Sequence, residues 1–218
     1  MMTPGSMRKH YTEHDRTIWR QRLPLAAEQA RAVERKLLGD TSDPEWHYAY
    51  HHFHDNCSTR VRDIIDLATD GRMHAETAQL PGPGLSFREL GRSGFSDEHG
   101  ILLFSDVFLG RPADQVPNLW EVMFLPDFLR GEVERRFGVA PQTLYTRKGP
   151  PFPTDPGFGG RQWFILLALA IAVPLAVSRW RGRGQRAAFA WALTVLVFFG
   201  ALLWAVALVT TLREGRLN

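Results

Sequence analysis

Apolar positions recur at helical spacing in several short segments before about residue 160, and beyond it they run together. In LPLAAEQARAVERKLLGD, Ala26, Ala30, Val33 and Leu37 share one side of a helix, with Glu28, Arg31 and Arg35 on others. Pro24 is a starting signal and Gly39 a stopping signal, so the pattern predicts a helix between them with its apolar side packed inward. NCSTRVRDIIDLATDG predicts a second helix, on which Cys57, Val61, Ile64 and Ala68 share one face, with Cys57 on or next to the buried stripe at its N-terminal end. Asn56 or Ser58 can cap it, and Gly71 ends it. SFREL and SDEHGILLFSDVFLG predict two more, the latter capped by Ser96 with Asp97 and Glu98 in its first turn. WEVMFLPDFLRGEVERRFG holds another, from Pro126 or Asp127 to Gly138. TSDPEW reads as a turn and LPGPG as a loop. HYAYHHFHDN alternates as a strand would at Tyr48, Tyr50, His52 and His54, but is too short to choose between strand and helix.

Two apolar runs close the chain. WFILLALAIAVPLAV, Trp163 to Val177, is about 15 residues and short for a membrane span. Gly159, Gly160 and a snorkelling Arg179 extend it, and membrane helices tolerate a kink such as Pro174 gives. AAFAWALTVLVFFGALLWAVALVTTL, Ala187 to Leu212, is about 26 residues, long enough to span with tilt. Trp163, Trp180 and Trp204 stand near possible interfaces. A buried helical hairpin in a soluble core is the alternative, but the second run carries no charge and no polar stripe. The expected fold is mainly α, with two C-terminal transmembrane helices. The expected domains are a Cys-containing helical region at 1–146, a Pro/Gly linker at 147–161, a two-helix membrane hairpin at 162–212 and a short tail at 213–218.

Charge settles the topology expected of that hairpin. The chain has 218 residues and a formal net charge of +3, with much of the basic excess in SRWRGRGQR between the apolar runs. That placement is not a nucleic-acid-binding face, and no nucleic-acid partner is expected. The positive-inside tendency puts the Arg-rich loop 179–186 in the cytoplasm. The N-terminal region and the C-terminus then lie outside the inner membrane of a bacterial cell. MMTPGSMRKHYTEHDR has no apolar segment that would direct export, so the chain is expected to be a piece of a longer protein, cut or mis-started at its N-terminus.

Cys57 is the one cysteine, so no intrachain disulfide forms. Its predicted place in the first turn of a helix favours a thiolate nucleophile, because unpaired N–H groups there attract negative charge and the following amides could hold an oxyanion. A small core residue is the bland alternative. A metal site is a third: His52, His54 and Cys57 are compatible ligand types, and His47 and His51 are one helical turn apart. No second His/Cys cluster completes a structural site, so no metal and no cofactor are expected. Arg60, Arg62 and Asp63 are either a solvated face or a means of holding the helix against its neighbours.

The stretch LPLAAEQARAVERKLL…YAYHHFHDNCSTRVRDIID resembles the Lnb N-terminal periplasmic domain family. The octapeptide Asn56-Cys57-Ser58-Thr59-Arg60-Val61-Arg62-Asp63 carries the resemblance most specifically, and MFLPDFLR, Met123 to Arg130, is similar to a later family segment. The likeness covers about residues 10 to 135. It implies that this chain is the helical half of a permuted papain-like α+β domain. There a histidine on a strand comes first and a cysteine at a helix N-terminus follows. Only the cysteine carries over, onto Cys57, with Asn56, Ser58, Arg60 and Asp63 as supporting residues. The family histidine lies in a "G-H" segment that this chain does not carry; His10 and His14 stand in charged sequence. What the resemblance implies is a membrane-anchored, extracytoplasmic, Cys-dependent acyltransferase or hydrolase, or an inactive fragment of one. Its partners would be membrane lipids and a lipoprotein or peptidoglycan-linked substrate. The alternative is a non-catalytic, membrane-anchored interaction domain.

Overall fold

The computed structural model describes residues 3–42, 50–96, 98–151, 154–155 and 157–214. The chain is mainly helical, as expected, with two long apolar C-terminal helices. It forms two compact units: Met1–Leu90 with Asp114–Phe152, and Gly91–Ala113 with Pro153–Asn218.

In the first unit, helix α1 (Pro4–Glu13) begins where the Thr3 side chain accepts from Ser6 N and proline fills the first turn. Its charged sequence offers no apolar stripe, which is why no helix is predicted there. Strand β1 (Ile18–Arg20) pairs antiparallel with β2 (Gln142–Tyr145), Ile18 opposite Tyr145 and Arg20 opposite Gln142. Neither strand is legible as one, being three and four residues long. Asp15, at φ 50°, ties the pair together: it accepts from Tyr145 Oη at 2.7 Å, Lys148 N at 2.9 Å and Gly149 N at 2.8 Å.

Helix α2 (Ala27–Ser42) departs from its predicted bounds. It begins three residues after Pro24, with Gln29 Oε1 accepting from Ala26 N at 2.9 Å, and it runs through Gly39. A glycine in a helix interior weakens the helix without ending it. Nor is its apolar side packed inward: no residue of α2 is buried, and Leu37 and Leu38 are exposed.

Helix α3 (Cys57–Ala68) is capped by Asn56 and ends at Thr69, so Gly71 instead opens the short helix α4 (Arg72–Thr77) from a left-handed φ of 76°. Its buried side is Ser58, Thr59, Arg62, Ile65 and Ala68. The predicted stripe is therefore rotated: Ala68 is buried, but Val61 is half exposed and Cys57 is exposed as well. Polar Ser58, Thr59 and Arg62 face inward because each bonds backbone there, which a hydropathy pattern does not register. Helix α5 (Phe87–Ser93) follows, its residues from Gly91 on belonging to the second unit. Helix α7 (Pro126–Phe137) starts at Pro126 and ends on Gly138 at φ 63°, as predicted. Ile65, Met73, Met123, Leu129 and Val133 form the core of this unit. Phe53, Phe87 and Phe124 form an aromatic cluster with centroids 4.9–5.5 Å apart.

In the second unit, α6 (His99–Phe108) is capped by Glu98 without a side-chain bond. Ser96, the predicted cap, donates instead to Ser93 O at 2.7 Å, and Asp97 lies outside the described residues. Helices α8 (Gln162–Trp180) and α9 (Gln185–Glu214) form a hairpin turned by Gly182 and Gly184, both at positive φ. Small residues, Ser178, Ala188 and Ala192, are buried between them. Pro174 has no N–H to give Ala170 O, and the indole Nε1–H of Trp191 donates to that carbonyl at 2.9 Å. Both helices are long and apolar enough to cross a membrane, and most of their apolar surface is open. A hairpin buried in a soluble core would hide that surface.

Candidate functional site

The site is built from the residues around the first turn of α3. Upstream, His51 and Asp55 close a tight turn through mutual backbone bonds of 2.9 and 3.1 Å. His51 Nδ1 accepts from Phe53 N and His54 N, and the rings of His51 and His54 stack at 4.7 Å. The turn buries Phe53 against Phe87 and Phe124, while the imidazoles of His51, His52 and His54 remain exposed. The histidines thus shape the approach to the helix. Among the described residues no group of histidines, cysteines and carboxylates is arranged to hold a metal ion. His47 lies outside the described residues.

Asn56 then fixes the helix start. Its Oδ1 accepts from Ser58 N at 2.8 Å and Thr59 N at 3.0 Å. Thr59 Oγ1 accepts from Asn56 N at 2.7 Å, which completes a reciprocal capping box. Asn56 Nδ2 donates to His52 O and Phe124 O, and Ser58 Oγ donates to Met123 O at 2.9 Å. This anchors the helix start to the short turn Glu121–Phe124. The polar side chains of Asn56, Ser58 and Thr59 are all buried and all committed to backbone.

Cys57 is the exception in this motif. It is exposed, so it is no core residue. It stands on a ridge between two grooves. One, of about 580 Å³, is largely apolar and is lined by Leu23, Val61, Ile65, Pro126, Leu129 and Val133, among others. The other, about 520 Å³, lies between α2 and α3, with Lys36, Asp40, Arg60, Asp63 and Leu67 in its walls. Leu23 and Gln21 reach the first groove because Gln21 Nε2 donates to Arg130 O and Val139 O, both at 3.0 Å.

The amides expected to hold an oxyanion are differently used. Asn56 takes the N–H groups of Ser58 and Thr59, and the first-turn N–H outside that cap is that of Cys57 itself. No histidine lines either groove among the described residues. His10 and His14 sit on and just after α1, their rings 4.3 Å apart.

The charged residues have separate tasks. Arg60 pairs with Asp55, Nε to Oδ1 at 2.5 Å and Nη2 to Oδ2 at 2.7 Å, and so braces the turn against the helix. Arg62 is buried: its Nη1 donates to Trp120 O at 3.1 Å, and its guanidinium lies 3.8 Å from the Trp120 ring centroid. Asp63, half exposed, holds that guanidinium from outside at 2.7 Å. Trp120 is a partner that no local pattern names; it is 58 residues away.

Residues 5–92 match the family model described as the Lnb N-terminal periplasmic domain. The matched stretch includes the whole octapeptide Asn56–Asp63; Met123–Arg130 falls outside it. No curated protein and no solved structure matches the chain. The match likens residues 5–92 to a periplasmic domain, and the two apolar helices are long enough to anchor the chain in a membrane.

Proposed function

We propose that Cys57 is the nucleophile of a membrane-anchored thiol acyltransferase or hydrolase, acting outside the bacterial inner membrane on a lipoprotein or another envelope substrate. The observation that carries this reading is the division of labour in the octapeptide. Asn56, Ser58 and Thr59 are consumed in holding backbone, and the thiol between them is left exposed beside an apolar groove. A motif serving structure alone has no need of a reactive side chain there.

In the proposed reaction the thiolate attacks the carbonyl carbon of an acyl ester. The C–S bond forms, the C–O bond breaks, and the alcohol leaves with the proton that the thiol gave up on forming the thiolate. A substrate amine, or water, then attacks the thioester, breaks the C–S bond and restores the thiol. The N–H of Cys57, outside the Asn56 cap, would donate to the developing oxyanion. The apolar groove suits the acyl chain, and the Arg-rich loop 179–186 faces the cytoplasm.

The test is intact-mass analysis of the full chain after incubation with a diacylated lipopeptide. The expected product is one acyl group, labile to hydroxylamine, absent in Cys57→Ser. No adduct, together with alkylation of Cys57 no faster than a free thiol at neutral pH, overturns the proposal. That outcome supports the second reading, a non-catalytic interaction domain, which is favoured by the lack of a histidine along either groove among the described residues.

A further inference from the structure

Helix α6 is the most apolar of the helices outside the hairpin, with the sequence HGILLFSDVF, and it lies in the same unit as α8 and α9. Its inner side is clamped to the start of α8. Leu102 is fully buried. The buried carboxylate of Asp106 pairs with Arg92, itself buried, and with Arg161 at 3.5 Å. Arg92 Nη2 also donates to Gly159 O at 2.9 Å, and Gln162 Nε2 lies 3.1 Å from His99 Nδ1. Gly160 sits against the α6 backbone: a Cβ there would stand 2.8 Å from Leu103 N and 2.9 Å from His99 O. Arg92 and Asp106 face each other on the inside, and Arg161 reaches Asp106 from the edge.

Its outer side is apolar and open. Ile101 on α6, Phe95 before it, Phe158 in the turn before α8 and Trp163 in the first turn of α8 are between 42 and 58% exposed. Leu103 joins Trp163, Leu167 and Phe199 along an apolar groove of about 340 Å³, so this surface is continuous with that of the spans. In water such a surface is unfavourable by about 25 cal/mol per Å². A short helix with the Arg92–Asp106 pair inside, exposed apolar groups outside and polar groups at its N-terminal end fits the boundary between lipid headgroups and acyl chains.

We infer that α6 is an interfacial helix, lying at the headgroup–acyl boundary of the leaflet in which α8 begins, with Ile101 and Phe158 toward lipid. Trp163 is then an interfacial anchor, and the half-exposed Arg161 meets lipid phosphates while it pairs with Asp106. The inference rests on the reading that α8 and α9 span the membrane.

Single cysteines at Ile101, Phe158, Leu196 and Glu28, each in a full chain carrying Cys57→Ser, test it. Each variant is labelled with a nitrobenzoxadiazole dye in nanodiscs of phosphatidylcholine and phosphatidylglycerol. Quenching is read with iodide and with lipids carrying a doxyl group high or low on the acyl chain. Ile101 and Phe158 are expected to be quenched most by the high doxyl group, with iodide quenching several-fold weaker than at Glu28. Leu196, exposed midway along α9, should respond to the low doxyl group. If Leu196 does respond while Ile101 and Phe158 are quenched by iodide as Glu28 is, the inference alone fails. Ile101 and Phe158 shielded from both quenchers points to a protein partner and also overturns it. If Leu196 is open to iodide, the spanning reading falls and takes the inference with it.

Discussion

The start of α3 and the middle of α8 face the same difficulty in different units. Each leaves backbone groups with no partner inside the helix: N–H groups at a helix start, and the Ala170 carbonyl below Pro174. At α3 the answer is local, since Asn56 and Thr59 bond each other's backbone within one turn. At α8 it comes from the next helix, through Trp191, 21 residues on. The local answer commits the side chains of Asn56 and Thr59 and leaves the exposed thiol outside the cap. The distant answer leaves nothing over, and in lipid, where no water replaces a lost partner, it serves the fold alone.

The largest effect expected tests the first half of that contrast. Cys57→Ala should remove the acyl adduct completely while leaving thermal stability unchanged, because the side chain is exposed and outside the core. A clear fall in melting temperature would mean that the thiol is structural after all. Asn56→Ala should do the reverse. It strips acceptors from two buried N–H groups and a donor from Phe124 O, a loss of about 1–2 kcal/mol in denaturant unfolding. Any loss of adduct should follow the folded fraction.

A smaller effect tests the second half. Trp191→Phe keeps the ring and removes the N–H, and hydrogen bonds between membrane helices average about 0.6 kcal/mol, reaching about 1.7. Pro174→Ala restores the intrahelical donor to Ala170 O. The cost of Trp191→Phe in hairpin stability, read by denaturant titration in detergent, should therefore shrink when Pro174 is alanine. An equal cost in both backgrounds would show that the indole matters for packing and not for its proton.

The same distinction explains what could be read in advance. The start of α3 was legible because N-C-S-T is a capping pattern written in adjacent residues, and α7 because Pro126 and Gly138 bracket it. The hairpin was legible from its unbroken apolar runs. What escaped was non-local. The inward side of α3 is set by Arg62 reaching Trp120 and Ser58 reaching Met123, and a periodicity of apolar residues cannot see polar groups that face inward to bond backbone. The β1–β2 pair joins residues more than a hundred positions apart, in segments too short to show alternation. For the site, the sequence pattern marked the cysteine but not its grooves, which need Leu23 and Leu129 brought beside it.

Asp15 offers the finest test, because it grips backbone as Asn56 does but its grip titrates. The N–H of Lys148, the Tyr145 hydroxyl and the N–H of Gly149 hold its carboxyl down at about 2, against an ordinary value of 3.8. A carboxylate so depressed stabilises the fold fully above its unfolded value, and that stabilisation disappears as pH falls from about 4 toward 2. Tyr145 gives the opposite limb: its phenol is raised above 10.0 by Asp15, so its contribution is complete below about 10 and fades as pH rises through the raised value. Asp15→Asn is a fair comparison, since asparagine also tolerates the positive φ found there. The stability difference between the wild-type chain and Asp15→Asn should be level from pH 7 to about 4 and vanish near pH 2. A difference that persists unchanged at pH 2 would place the hold on the β1–β2 pair in the shape of the turn and not in the charge of Asp15.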